Sequence, residues 1–449
     1  MSPRSKNMHV TAAKEVKKLR WMPLDNAAKI YPAARRKKWS NVFRLSATLE
    51  KQIDKQVMQS ALDVTVRRFP LICARLRRGV FWYYLQQLEK APEIRDENSY
   101  PLTMMSKDEM RKCAFRVIVY DKRVAIEVFH SLTDGNGALI FLKSLVAEYL
   151  EQKYGINVPA EYGVYDRTEE PRDEELEDSF QKYAGNVCAS RQGTGAWRIS
   201  GTLETDGFLN LTCFSLPANE VIQKAHTFHV SVTNFLCAVL MMALQNLQKE
   251  KVKEVMHRKA IKVLIPVNLR TMFPSKSLRN FALYTTPEID PRLGEYSFEE
   301  ICASIKHKMG IEVNPKFMSS LIATNVSSER IMAVKLMPLF VKNVVMKAVF
   351  FAVGERKSCL SMSNLGVVVC PENMKPFIQR MDFILGVQAT APYNCGIITC
   401  NDNVYINFSR NTQEPELEKH FYYVLRDMGI PVSVESNQSS KEGREICTV

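Results

Sequence analysis

The chain lacks the sequence signatures of several large enzyme classes. Its 449 residues contain no G-x-S-x-G turn, no H-E-x-x-H pair, no Walker phosphate loop and no dinucleotide glycine fingerprint. These absences argue against an enzyme with a covalent serine intermediate and against a nucleotide-dependent enzyme.

Paired cysteines are also absent. None of the eleven cysteines belongs to a C-x-x-C motif, and no cysteine or histidine pair accompanies Cys395 and Cys400. We therefore expect no metal site, because zinc ligands occur at characteristic spacings. Residues 1–20 are polar and basic, without an apolar stretch of leader length. Together these features predict free thiols and a cytoplasmic protein.

Long apolar runs are missing as well. No stretch approaches the roughly 20 apolar residues of a membrane-spanning helix, so we expect no integral membrane segment. The most apolar stretch is 336–353, which Lys342 and Lys347 interrupt and which has Pro338 near its start. This pattern favours a core or tunnel-lining helix whose lysine heads reach water. A helix that lies on a membrane surface is the alternative.

Acidic residues are outnumbered, and the net charge is +13. The densest basic clusters are 35–38 and 75–78, and no recognised nucleic-acid-binding motif accompanies them. We therefore expect no nucleic acid partner. A basic rim that attracts an anionic ligand explains the charge, and so does an ordinary solvated surface.

The most informative feature present is an H-x-x-x-D-G turn at 130–135, directly after the apolar run 124–129. Histidine has an unperturbed pKa of about 6.5, so His130 is suited to take a proton from a hydroxyl or an amine near neutral pH. By itself, such a short pattern is more often a core histidine beside a turn. The surrounding sequence has to decide between the two interpretations.

The aspartate and glycines of this turn have structural interpretations. A buried Asp134 needs a cation or several backbone donors, so we expect it to fix the turn and orient His130. Gly135 and Gly137 are expected to supply backbone freedom where the turn enters a helix.

The periodicity of apolar residues predicts alternating strands and helices around this turn. The helix 49–69 is amphipathic and ends at Pro70, and Ser231 or Thr233 is expected to cap a long apolar helix through Leu247. The predicted strands are 42–47, 71–76, 80–85, 115–120, 124–129, 211–216, 261–267, 360–363 and 404–408.

Several further elements occur in the order of one known superfamily. Together with the histidine motif they resemble the chloramphenicol acetyltransferase-like superfamily, which includes alcohol acetyltransferases, plant-type CoA-dependent acyltransferases and the condensation domains of peptide synthetases. The matching segments are F-P-L-I at 69–72, I-P-V-N-L-R at 265–270, R-N-F at 279–281 and S-N-L-G at 363–366.

Two departures favour the alcohol acetyltransferase-like branch. The D-F-G-W-G motif of plant-type members is reduced here to D-F-I-L-G at 382–386. Phe129 precedes His130, where peptide-forming condensation domains have a second histidine.

The resemblance implies an α/β fold of two chloramphenicol acetyltransferase-like sandwich subdomains, arranged as a V-shaped pseudo-dimer around a central tunnel. An N-terminal subdomain is predicted at 1–165 and a C-terminal subdomain at 196–449. The charged stretch 166–195 is predicted to be the linker, because its composition buries little surface.

The resemblance also implies the chemistry. His130 would be the general base, in a reaction without a covalent acyl-enzyme, that moves an acyl group from acyl-CoA or an acyl-carrier protein to a small alcohol or amine. Acyl-CoA would be a co-substrate, and no cofactor is expected. Arg270 would pair with Asp134, and both would be structural, like Gly135.

Two points stay open at the level of sequence. Ser363 and Asn364 would either donate hydrogen bonds near the developing oxyanion or merely shape the end of a strand. The activity itself has two alternatives, a condensation-type amide-forming enzyme and a non-catalytic member of the fold that binds a ligand or partner.

We predict that Asp134 points away from the cleft and pairs with Arg270, and that substitutions separate its role from that of His130. A buried carboxylate without a partner would cost several kcal/mol, so we expect this bridge to join the two halves behind the turn. Asp134→Ala should therefore lower both stability and activity. His130→Ala should lower activity alone. Thermal unfolding and turnover of both variants test this. An exposed Asp134, or a separation of more than about 6 Å from Arg270 without a bridging water, would contradict it.

Overall fold

The structure of the protein is a computed structural model, which describes residues 20–34, 41–185, 187–189, 195–349, 357–387 and 391–438. The basic cluster 35–38 and residues 191–194 of the predicted linker lie outside the described residues. The predicted α/β class is confirmed, since helices cover sheets in both halves of the chain.

The described residues form the following strands. They are β1 Trp21–Pro23, β2 Val42–Leu49, β3 Ala74–Arg78, β4 Tyr83–Gln87, β5 Arg95–Asp96, β6 Phe115–Tyr120, β7 Arg123–Phe129, β8 Asn210–Pro217, β9 Ile261–Asn268, β10 Ala282–Thr285, β11 Glu288–Ile289, β12 Leu360–Val367, β13 Ile378–Leu385, β14 Tyr393–Cys400, β15 Asn403–Arg410 and β16 Ser433–Ser436.

Helices alternate with these strands along the chain. They are α1 Ile30–Ala34, α2 Lys55–Arg68, α3 Lys107–Lys112, α4 Gly135–Tyr154, α5 Asp173–Leu176, α6 Ser179–Tyr183, α7 Ala218–Thr227, α8 Val232–Lys251, α9 Phe298–Glu312, α10 Pro315–Arg330, α11 Met332–Leu336, α12 Leu339–Val349 and α13 Glu416–Asp427.

The first large sheet has the strand order β13-β2-β7-β6-β5, and α2 and α4 pack together beside it. The predicted strands 115–120 and 124–129 correspond to β6 and β7, which form a hairpin, and Asp121 at its turn has a φ of +46°. The helix predicted at 49–69 begins only at Lys55. Asp54 is its N-cap, accepting hydrogen bonds from the amides of Gln56 and Val57, while β2 continues to Leu49.

The second large sheet has the order β10-β9-β12-β14-β15-β8-β16, with β11 paired to β9. Helices α9 and α13 both pack against α8, which lies beside this sheet. The predicted cap of α8 is Ser231, whose hydroxyl accepts a hydrogen bond from the Asn234 amide at 3.2 Å. A separate three-stranded sheet has the order β1-β4-β3.

One strand crosses between the two halves. β13 comes from the second half of the chain but pairs antiparallel with β2 along its whole length. β13 also contacts β14 and β15. Directly after β13, the Gly386 carbonyl accepts a hydrogen bond from Asn394 of β14 at 2.6 Å. The predicted domain boundaries stay a prediction, and β13 links the two segments they define.

Membrane-spanning helices were not expected. Within the described ranges, no single helix is both long and apolar enough to cross a bilayer, and only the pair α7 and α8, bent by 83°, meets that criterion together.

We predict that Gly396 is essential where β13 meets β14. A methyl group on Gly396 would overlap the Phe383 carbonyl oxygen, which is backbone and cannot move aside. Gly396→Ala should therefore cost about 1–3 kcal/mol or more in denaturant unfolding. The matched control is Gly310→Ala in α9, where a methyl group meets open space and helix propensity predicts a gain of about 0.5–1 kcal/mol. Equal stability of the Gly396 variant and the wild type would refute this packing.

Candidate active site

The turn that bears His130 is fixed by its surroundings on several sides. Pairing of β2 with β7 reaches Val42 and Phe129, and the next amide, that of His130, donates to the Asn41 carbonyl at 2.9 Å. The Ser131 hydroxyl donates to the Ala28 carbonyl at 3.1 Å. These bonds hold the histidine where β7 ends and α4 begins.

Asp134 makes three hydrogen bonds with its two carboxylate oxygens. Oδ1 accepts from the Gly137 amide at 3.0 Å and so caps α4. Oδ2 accepts from Arg270 Nη1 at 2.7 Å and from the Phe281 amide at 3.0 Å. The predicted pairing of Asp134 with Arg270 is therefore present. One buried carboxylate connects the histidine turn to two segments of the second half of the chain.

That Asp134 points away from the cleft stays a prediction. Asp134 is among the residues that line the cavity described below. Its oxygens are nonetheless engaged by protein donors, so the carboxylate has a structural arrangement rather than that of a proton acceptor.

Gly135 and Gly137 were expected to supply backbone freedom, but their backbone conformations do not require glycine. Neither Gly135 nor Gly137 has a positive φ, and both lie in the first turn of α4. A methyl group on Gly137 would overlap the Thr133 hydroxyl and the Leu278 carbonyl. Gly137 is needed for close packing, whereas at Gly135 the nearest obstacle is the flexible end of Leu365.

Arg270 organises the segment that follows it. Besides Asp134, its guanidinium donates to the Ser277 carbonyl at 2.9 Å, to Asn268 Oδ1 at 3.2 Å and to the Arg279 carbonyl. These bonds hold the backbone of residues 277–281 against the Arg270 side chain. Asn280 thereby comes to lie beside the histidine.

Asn280 determines which ring nitrogen of His130 has the proton. Asn280 Nδ2 donates to Asp25 Oδ2 at 3.1 Å, so its Oδ1 is the atom that lies 2.9 Å from His130 Nδ1. A carbonyl-type oxygen only accepts, and therefore His130 Nδ1–H is the donor. We assign this tautomer from the hydrogen-bond network. It leaves the lone pair of Nε2 available as a base.

Aromatic rings enclose the imidazole. The Tyr31 ring stacks on it with a centroid distance of 4.5 Å, and the Phe43 ring meets it edge-on at 5.1 Å. Burial among these groups lowers the pKa of His130, although Asp134 and Asn280 act in the opposite direction. The imidazole is therefore neutral at pH 7, as a general base requires.

Asp25 lies behind Asn280 and is almost completely buried. Burial, followed by the nearby carboxylate of Asp178, raises the pKa of Asp25 to about 6. Asp25 Oδ2 accepts a hydrogen bond from the Asn280 side-chain amide at 3.1 Å. The Ala28 amide also donates to it, at 2.7 Å.

His130 lines a cavity of about 730 Å³ between the two halves of the chain. This volume is within the range of small-molecule sites. Much of the wall is apolar, and several polar side chains interrupt it. The polar lining residues from the second half include Asn268, Tyr284, Ser361, Ser363, Asn364 and Asn394.

Both residues predicted to bind substrate line this cavity. Asn364 is occupied within the protein, since Nδ2 donates to the Thr233 hydroxyl at 3.1 Å and Oδ1 accepts from the Gly366 amide at 2.8 Å. Gly366 has a φ of +76°, so this arrangement shapes the end of β12. Ser363 is the better candidate for a donor to the oxyanion, and both roles stay predictions.

The stretch around Lys342 also differs from the sequence expectation. Lys342 does not reach water but is buried, with its ammonium 3.5 Å from the centroid of the Trp82 ring. It donates to the Phe81 carbonyl at 3.0 Å. The expectation that this stretch lines the cavity holds for Lys342, Val345 and Met346 of α12.

Metal ligands do not converge in the described ranges, where no group of three or more His, Cys, Asp and Glu side chains could hold a metal ion. The absence of a cofactor stays a prediction.

Sequence reasoning missed the connection from Asn280 to Asp25. Asn280 belongs to the R-N-F segment, and its position directly before the amide that binds Asp134 is a usable signal. Asp25 has none, because it is far from the motif in the sequence and meets Asn280 only through the fold.

Comparisons with known proteins agree with this fold. A family model described as alcohol acetyltransferase matches residues 204–287, a region that contains Arg270 and Asn280. No curated protein sequence matches the chain. Three similar solved structures show how far the likeness extends.

Two of them are fungal proteins. The trichothecene 15-O-acetyltransferase TRI3 of Fusarium sporotrichioides has a TM-score of 0.57 and 11% identity, covering 91% of this chain and 94% of its own. TRI101 of F. graminearum, complexed with ethyl coenzyme A, has a TM-score of 0.56 and 11% identity, covering 93% and 100%. The first condensation domain of the calcium-dependent antibiotic synthetase has a TM-score of 0.55 and 14% identity, covering 92% and 99%.

These identities establish the fold alone. The predicted architecture therefore agrees with the fold of these solved structures. The likeness to alcohol acetyltransferases in sequence is the family-model match over residues 204–287.

We predict that Asn280→Ala lowers kcat by roughly 10- to 100-fold, a part of the 10²–10⁴ that a general base contributes. Because Asn280 favours the protonated imidazole, its loss should also lower the pKa of His130. The acid limb of the pH–rate profile should then move to lower pH. Asn325→Ala, which changes another asparagine of the cavity wall, is the control. An unchanged acid limb would mean that Asn280 only supports the fold.

Proposed function

We propose that the protein is an acyltransferase that moves an acyl group from acyl-CoA, or from an acyl-carrier protein, to a hydroxyl acceptor. The observation on which this rests is the hydrogen-bonded series from Asp25 through Asn280 to His130 Nδ1. It leaves a neutral Nε2 as the base in a cavity large enough for two substrates' reacting groups.

The reaction proceeds in a ternary complex. The acceptor hydroxyl gives its proton to His130 Nε2 while its oxygen attacks the thioester carbonyl carbon. The tetrahedral intermediate then collapses, the carbon–sulfur bond breaks, and the imidazolium protonates the departing thiolate. The products are an ester and a free thiol, and His130 returns to its neutral state. No acyl-enzyme forms.

Groups around His130 support each stage. Asp134 and Asn280 stabilise the transient imidazolium, because both favour the protonated ring. The Ser363 hydroxyl is the proposed donor to the oxyanion. Positioning of donor and acceptor in one cavity supplies much of the remaining acceleration.

Amide formation is the second candidate, favoured by the structural likeness to a condensation domain. An amine acceptor bound to a carrier protein would use the same base and the same proton path. A non-catalytic binding protein is less well supported, because it would not need a histidine held in one tautomer.

We predict that the purified protein releases free thiol from acyl-CoA when suitable alcohols are present, as measured with a thiol reagent. A panel of acetyl-CoA and longer acyl-CoAs against mixed alcohols should give turnover that His130→Ala lowers by at least about 10²-fold. His226→Ala, which changes an exposed histidine outside the cavity, should leave the rate unchanged.

Other outcomes would change the assignment. Turnover of His130→Ala within about tenfold of the wild type would remove this residue from the mechanism. Reaction only with amines and carrier-protein thioesters would favour the condensation enzyme. Absence of any thiol release, with tight binding of a protein partner, would favour the binding protein.

A further inference from the structure

Two consecutive helices expose a row of apolar side chains. Met332 and Leu336 of α11 and Phe340 and Val344 of α12 follow one another at intervals of four residues. Leu336, Phe340 and Val344 are exposed by 63%, 64% and 69%. Helices of a globular protein normally bury such a row, and a continuous exposed apolar patch marks an interaction surface.

The tip of the β3–β4 hairpin extends this patch. Val80 and Phe81 are also exposed there. The Val80 carbonyl accepts from the Leu339 amide, and the Phe81 carbonyl accepts from Lys342, both at 3.0 Å. The hairpin tip is therefore fixed against α12. We call the combined surface the docking face; its members are Val80, Phe81, Ile331, Met332, Leu336, Phe340 and Val344.

The segments that form the docking face have an excess of cationic side chains. Glu329, which precedes them, forms an ion pair with Lys29 and is only 15% exposed. Between 330 and 349 the sequence has four cationic residues and no acidic residue, and between 71 and 88 it has three arginines and no acidic residue. Arg330, Lys335 and Lys347 are exposed beside the apolar row. An occupant of this face must therefore be both apolar and anionic.

The docking face is connected to the proposed active site. Val334, Met337, Val345 and Met346, on the same helices and the turn between them, line the cavity that contains His130. Val345 is 46% exposed and directly follows Val344 of the docking face. An apolar molecule on the docking face is thus next to the wall of the cavity.

We propose that the docking face binds the surface of a lipid bilayer that contains anionic lipids. Apolar and aromatic side chains beside lysine and arginine are the composition of segments that lie in the membrane interface. A second copy of the chain is a poorer occupant, because a symmetric contact would place the cations of one face against those of the other. The binding mode is peripheral, with α11 and α12 along the membrane plane.

Vesicle flotation of the full chain tests this proposal. The protein should float with phosphatidylcholine vesicles that contain phosphatidylserine, and less with phosphatidylcholine alone. Leu336→Glu/Phe340→Glu should reduce the bound fraction by about tenfold or more, since each change removes apolar area and adds repulsion. Lys335→Glu/Lys347→Glu should reduce binding to the anionic vesicles and weaken its dependence on salt.

The control is Met256→Glu/Leu293→Glu, which changes two apolar residues that are each 81% exposed and lie outside the docking face. This variant should bind as the wild type does, and circular dichroism verifies the fold of each variant. His130→Ala should also bind fully, because membrane binding requires no acyl transfer, so failure of one proposal is distinguishable from failure of the other.

Four results would overturn the proposal. Three of them are no flotation of the wild type, equal losses in the docking-face variant and the control, and a dimer detected by light scattering that only the docking-face variant disrupts. Capture of an acidic protein by the docking face without vesicle binding would equally replace the bilayer as the occupant.

Discussion

The arrangement of the site depends on the carboxylate of Asp134. With two oxygens it accepts hydrogen bonds from the first turn of α4, from Arg270 and from the amide of Phe281. The first of these fixes the end of the turn that begins with His130. The other two fix the segment that contains Asn280. The histidine and the residue that selects its tautomer are therefore placed by the same group, although 150 residues separate them in the sequence.

The ion pair of Asp134 and Arg270 matters more for positioning the site residues than for the stability of the fold. A buried ion pair contributes little net free energy, because desolvation of both charges offsets their attraction, yet loss of one partner is costly. Here the Arg270 guanidinium also donates hydrogen bonds to the carbonyl groups of Ser277 and Arg279. The backbone conformation of residues 277–281 depends on these bonds. This conformation places Asn280 beside His130, which Tyr31 and Phe43 enclose. Burial lowers the pKa of His130 and so favours the neutral imidazole.

Much of the site could be predicted from sequence where the interactions are local. The end of β7, the start of α4 and the need of Asp134 for a cation follow from nearby residues, and the resemblance supplied Arg270 as the partner. The insertion of β13 beside β2 could not be predicted, because apolar alternation says nothing about which sheet a strand joins. The contact of Asn280 with Asp25 could not be predicted either, because only the fold brings these distant residues together. The exposure of α11 and α12 depends on which elements pack around them, and their composition does not reveal this.

The central claim is that His130 is a neutral base with its proton on Nδ1. Nitrogen-15 NMR of histidine-labelled protein measures this directly, with His130→Gln used to assign the signals. The account predicts a protonated Nδ1 and an unprotonated Nε2 at pH 7, with conversion to imidazolium only below the ordinary histidine pKa of about 6.5. A proton on Nε2, or an imidazolium at pH 7, would contradict it.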